Sequence, residues 1–126
     1  MHSIAQEAPG LDYECELVIV IGKQCSDVTE SQALDYVLGY AIGNDVSHRD
    51  WQIQRGGGQW SLGKGFDGWA PFGPGIVSAD LIKDPQTLQI STKLNGNTVQ
   101  VGRYRHSQLW LVLTREKKNR RATPQI

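Results

Sequence analysis

Three carboxylates in this 126-residue chain have the types and spacing to do chemistry together. Glu14 and Glu16 stand one residue apart at the head of an apolar run, Leu17-Val18-Ile19-Val20-Ile21. Asp45 ends a second apolar run, Val37 to Asn44. Alternate residues of a strand share a face, so Glu14 and Glu16 stand with Val18 and Val20. Like charges facing a core side repel, and each resists losing its water. A cation relieves both penalties. An all-oxygen site for Mg²⁺ or Mn²⁺ is therefore the leading reading. The competing reading is a solvent-facing strand end whose glutamates pair with a neighbouring lysine.

A second cluster of polar residues is Asn44-Asp45-Val46-Ser47-His48-Arg49-Asp50-Trp51-Gln52. On a helical turn Arg49 and Gln52 share one side. The arginine fork suits a substrate carboxylate, and the amide suits a carbonyl or hydroxyl. On the residues alone, a plain surface helix with Arg49 paired to Asp50 or Asp45 is the preferred reading. His48 reads as an exposed histidine rather than a catalytic one. Further on, Gly58 and Gly63-Lys64 nearly spell a phosphate-binding loop, but Gly65 stands where Ser or Thr should reach Mg²⁺. No buried strand precedes it and no helix can follow, which excludes nucleotide binding. What remains is a mobile loop that delivers the Lys64 ammonium to a site, or a solvent-exposed lysine.

The elements that must position these residues are mainly strands. Residues 12–22 read as a central strand, apolar on both faces. Ser26 or Thr29 can cap a short helix with Ala33, Leu34 and Val37 on one side. Residues 38–46 read as a second strand, where Gly39 and Gly43 signal bends or close backbone approach. A helical turn over 47–54 would be capped by Ser47. Residues 55–75, rich in glycine, read as a long loop of the kind that is functional or disordered. Strands follow near 75–78 and 88–94, and Asn95-Gly96 predicts a two-residue hairpin.

Charge divides the chain near residue 100. Residues 1–100 carry six Lys+Arg against twelve Asp+Glu, whereas 101–126 carry seven against Glu116 alone. The basic run Arg115–Arg121 lacks aromatic interleaving and reads as a solvated tail, so no nucleic-acid partner is expected. Cys15 and Cys25 match no zinc or redox spacing. No apolar stretch is long enough to span a membrane, and residues 1–10 lack the pattern of a secretion signal. The default is a soluble intracellular protein, cytoplasmic or mitochondrial.

Taken in order, DYECELVIVIGK, ALDYVLGYAIGNDVSHRDWQ, GKGFDGWAPFGPGIV and LNGNTVQ resemble the fumarylacetoacetate hydrolase family over residues 12–100. The resemblance implies an α+β, mainly β fold: the mixed β-sandwich roll of the family's C-terminal catalytic domain, here incomplete. It implies Mg²⁺ or Mn²⁺ on Glu14, Glu16 and Asp45, substrate contacts from Arg49 and Gln52, and an active-site role for Lys64. It also implies a homodimer. The implied activity is hydrolysis or decarboxylation of a small β-keto or diketo acid, such as an acylpyruvate, oxaloacetate or a fumarylacetoacetate-like compound. The metal would chelate the oxo-carboxylate and, with Lys64, stabilise an enolate. Isomerases also occur in the family.

Three departures qualify the resemblance. A histidine–glutamate segment that activates water lies upstream of the glutamates in typical members; His2 and Glu7 do not match it. Ser and Thr usually stand where this chain has Gly65 and Gly68. After Gln100 the likeness ends where the charge changes sign. The expected organisation is an irregular lead-in over 1–11, a partial catalytic domain over 12–100, and a basic tail over 101–126, read as an unspliced intron or a shifted frame. An inactive fragment or degenerate paralogue that keeps part of the metal site is the alternative function.

Overall fold

A computed structural model describes residues 10–103. Most of the lead-in and nearly all of the basic tail lie outside the described residues. Seven strands account for most of the regular structure: β1 (Leu11–Asp12), β2 (Cys15–Ile21), β3 (Val37–Asn44), β4 (Ser47–His48), β5 (Phe72–Ser78), β6 (Gln89–Leu94) and β7 (Asn97–Arg103). All strand pairings are antiparallel: β1 with β4, β2 with β3 and β3 with β5, and β6 with β7. Short helical turns connect them, so the expected mainly-β character with little helix is present. None of these helices is long and apolar enough to cross a membrane.

β3, not β2, is the central strand of the three-stranded sheet. The run 12–22 looked central because it is apolar on both faces. Its odd-numbered face, Leu17 and Ile19, packs on the core of Val28, Ala33, Val37 and Tyr40. Its even-numbered face carries Glu16, Val18 and Val20, so the carboxylates stand opposite that core cluster. The Gln100 side chain ties the β6–β7 hairpin to β2. Gln100 Oε1 accepts from the Cys15 N–H at 2.9 Å, and Gln100 Nε2 donates to the Cys15 carbonyl at 3.4 Å. The amide thus substitutes for a strand neighbour at Cys15.

The helical segment after β2 is a 3₁₀ helix over Glu30–Tyr36. Thr29 occupies the cap position without capping the backbone; its hydroxyl instead donates to Gln32 Oε1 at 2.7 Å. Ala33 and Val37 are buried, but Leu34 is exposed. The Asn95-Gly96 hairpin forms as expected, with both residues at positive φ (50° and 83°), the conformation a tight twisted turn needs. Cys15 and Cys25 are half-buried free thiols.

Gly39 brings two backbones together. A Cβ there would overlap the Val77 carbonyl of β5 and lie 2.8 Å from Ile76 Cγ2. The segment 55–75 is less irregular than its glycines suggest. A 3₁₀ turn over Trp60–Gly63 and the start of β5 at Phe72 organise it. Phe66 fixes its middle, 6.3 Å from both His48 and Trp51 and 4.6 Å from Trp69 between ring centroids.

Candidate functional site

The end of β3 and the approach to β2 are tied together at the backbone. Asn44 Oδ1 accepts from the Glu14 N–H at 3.0 Å, and the Asp45 N–H donates to the Glu14 carbonyl at 2.9 Å. The β2–β3 register pairs Glu16 with Gly43, whose missing side chain leaves room on that face; a Cβ there would lie 2.7 Å from Val18 Cγ2. These ties gather Glu14, Glu16 and Asp45, which each offer a carboxylate oxygen within 4.8 Å of the others. Two glutamates flanking Cys15 at the head of β2 and an aspartate about thirty positions away therefore form one cluster.

Two cations border it. Lys64 Nζ lies 2.7 Å from each of Glu14 Oε2, Asp45 Oδ2 and Ser47 Oγ. Arg49 donates from Nη1 to Glu14 Oε1 and to Gln52 Oε1, both at 2.7 Å. Its Nε and Nη2 both donate to Asp12 Oδ2, at 2.9 and 2.7 Å. Arg49 thus pairs with Asp12 and Glu14, not with Asp45 or Asp50; Asp50 pairs with Arg55.

Ser47 does not cap the next helical turn. It lies in β4, fully buried, donates to the Asp45 carbonyl at 3.0 Å and accepts from Lys64. The turn itself is a π-helix, Asp50–Arg55, preceded by Arg49. Such wide turns recur at functional sites. Here the turn sets Gln52, which is buried, beside the guanidinium. Gly63 packs directly on Gln52: a Cβ at Gly63 would lie 2.7 Å from the Gln52 backbone nitrogen. That close approach, with the Phe66 aromatic contacts, fixes the loop so that Lys64 reaches the cluster.

His48 is buried against Phe66, and its Nδ1 has no hydrogen-bond partner among the described residues. The expectation of an exposed histidine is therefore corrected: β4 pairs with β1 and turns the ring inward. Gly68 has φ +76°, where a β-branched threonine would be strained, so the glycine suits the local backbone. Sequence reasoning missed Asp12, Ser47 and Asn44. Asp12 opened the quoted strand motif, but nothing in its spacing linked it to Arg49.

The charges respond to this arrangement. Burial raises the Glu16 carboxyl above the ordinary range, and the Asp45 and Glu14 charges raise it further. At Glu14 burial acts in the same direction, but hydrogen bonds from Lys64 and Arg49 outweigh it and hold the group low. Burial would lower Lys64; its bonds to Asp45 and Glu14 reverse that and raise it. Three hard oxygen donors, with no sulfur or imidazole among them, suit a hard divalent cation such as Mg²⁺ or Mn²⁺.

The model of the fumarylacetoacetate (FAA) hydrolase C-terminal domain matches residues 2–111. This chain belongs to the fumarylacetoacetate hydrolase family. The matched stretch extends on both sides of 12–100. A Dictyostelium discoideum relative, a fumarylacetoacetate hydrolase domain-containing protein 2 homolog, is 53% identical over 102 residues, covering 75% of this chain and 33% of that protein. The chain thus spans about a third of that relative's length. Two solved members of the family have the same fold. The 2-hydroxyhepta-2,4-diene-1,7-dioate isomerase of Mycobacterium marinum is 47% identical, with TM-score 0.68, over 77% of this chain and 36% of its own. The fumarylpyruvate hydrolase of Pseudomonas aeruginosa, solved with Mn²⁺ and pyruvate, is 35% identical, with TM-score 0.68, over 77% and 42%.

Proposed function

We propose that this chain carries the metal- and substrate-binding part of an enzyme that hydrolyses or decarboxylates a small β-keto or diketo acid. Glu14, Glu16 and Asp45 would hold Mg²⁺ or Mn²⁺. The observation that carries this reading is the convergence of those three carboxylates within 4.8 Å, bordered by Arg49 and Lys64. The likeness to a hydrolase solved with Mn²⁺ and pyruvate supports both the metal and the oxo-acid. When bound, the cation supplies Lewis acidity toward the oxygens of an oxo-carboxylate.

The chain's own groups do the rest. Arg49 brings a fixed positive charge to the substrate carboxylate, and Asp12 holds its guanidinium in place through Nε and Nη2. Gln52 orients its amide beside the guanidinium. Lys64 brings a positive charge to the oxygen on which negative charge grows as the carbon–carbon bond breaks. One of this ammonium's hydrogen bonds goes to the buried Ser47 hydroxyl, which keeps the lysine at the edge of the cluster. We also propose a homodimer as the working assembly.

The test is to add Mg²⁺ or Mn²⁺ and follow the loss of oxaloacetate or an acylpyruvate. Turnover should require the metal and disappear in the double variant Glu14→Ala, Glu16→Ala. Turnover that survives the double substitution would refute the metal mechanism. Metal binding without turnover of either substrate class would favour a non-catalytic paralogue.

A further inference from the structure

An ammonium has three protons to donate, and Lys64 uses all three at 2.7 Å. Two go to carboxylates of the cluster, Glu14 and Asp45; the third goes to the buried Ser47 hydroxyl. Glu16 receives no such donor among the described residues. Arg49 holds the other oxygen of Glu14, so both Glu14 oxygens are engaged. The cluster's negative charge is therefore partly neutralised by the chain's own cations. A divalent ion would draw on the Glu14 and Asp45 carboxylates that Lys64 already engages, and it would also repel an ammonium at hydrogen-bond range.

We propose that Lys64 is the resident counter-cation of the cluster: its ammonium and the divalent ion compete for Glu14 and Asp45, so that metal loading releases Lys64 toward the substrate. The inference rests on the metal reading above and adds an order of events to it. Without the ion, Lys64 bridges Glu14 and Asp45 and offsets part of the repulsion within the cluster. With the ion, the lysine leaves those oxygens and becomes available to a negatively charged substrate. The lysine is thereby coupled to metal loading, and the metal binds less tightly than the bare carboxylates would allow. Lys64 sits on the loop held by Phe66 and Gly63, so its stem can swing while the loop backbone stays in place.

The test has two arms on the full 126-residue chain. In the first, Mn²⁺ affinity is measured by calorimetry for the wild type, Lys64→Gln and Lys64→Arg. Lys64→Gln should bind Mn²⁺ about tenfold more tightly, the scale expected when two partly exposed ion pairs no longer compete. Lys64→Arg keeps the charge and should stay near the wild type. In the second arm, wild-type lysines are acylated with and without Mg²⁺ and read by mass spectrometry, with Lys23, Lys83 and Lys93 as internal references. Mg²⁺ should raise labelling of Lys64 several-fold against those references. Equal or weaker Mn²⁺ binding by folded Lys64→Gln, or Lys64 labelling that stays level or falls, would overturn the proposal. If Lys64→Gln does not fold, the labelling arm decides alone. If the wild type binds neither ion, the metal reading fails and this inference falls with it; ion binding that leaves Lys64 unmoved removes only the inference.

Discussion

Arg49 is held by three side chains, and Asp12 takes two of its four hydrogen bonds. The bond from Arg49 is also the main reason the Asp12 carboxyl titrates below its ordinary value. Asp12→Asn should leave the fold almost intact, costing under about 1 kcal/mol, because the pair is partly exposed. It should nevertheless raise KM for an oxo-acid about three- to tenfold by freeing the guanidinium; an unchanged KM would show that Asp12 does not orient Arg49. Glu16 makes the opposite trade. Burial and two neighbouring charges disfavour its ionised form, so that charge destabilises the metal-free fold. Glu16→Gln should raise metal-free stability by under about 1 kcal/mol while weakening Mn²⁺ binding, read by melting with and without the ion. Glu14, Glu16, Asp45, Arg49, Gln52 and Lys64 were all legible as candidates from their types and spacing. Asp12 and Ser47 were not, because what marks them is a contact made only after β1 pairs with β4.

Two glycines show how elements aim these side chains. At Gly39 the β3 and β5 backbones approach so closely that any side chain must push them apart. Gly39→Val should destabilise the sheet by about 1–3 kcal/mol, measured by chemical denaturation; an unaffected midpoint would mean that the strands can separate freely. Gly63 abuts the Gln52 backbone, so Gly63→Ala should shift the π-helical turn against the loop. The expected result is a loss of stability of about 1–3 kcal/mol, measured by chemical denaturation. Close approach at Gly39 was expected from a glycine within a strand pattern. The packing at Gly63 was hidden in a glycine-rich stretch that looked uniformly loose. Composition cannot say which glycine of a loop touches a helix, and the aromatic ring that fixes this loop is identified only by its neighbours.

On the scale of the molecule, the described sheets leave large apolar side chains exposed, among them Ile42, Phe72, Ile76 and Val77 on β3 and β5. Apolar surface of this kind and open strand edges favour association. Light scattering of the purified chain should therefore report species heavier than one chain, with apolar-dye binding that falls as they form. A monomer with a single cooperative melting transition and no dye binding would contradict this. The sequence by itself determined the family, the mainly-β class, the hairpin and the residue types of the site. These depend on local order: alternation along a strand, a turn dipeptide, and motifs quoted in sequence. Tertiary structure alone decided that β3 is central, that His48 is buried, and that Lys64 and Arg49 border the carboxylates from opposite ends of a folded loop. Those outcomes turn on distances between residues far apart in the chain. Charge and hydrogen bonding act over a few ångströms of space, whatever the separation in sequence.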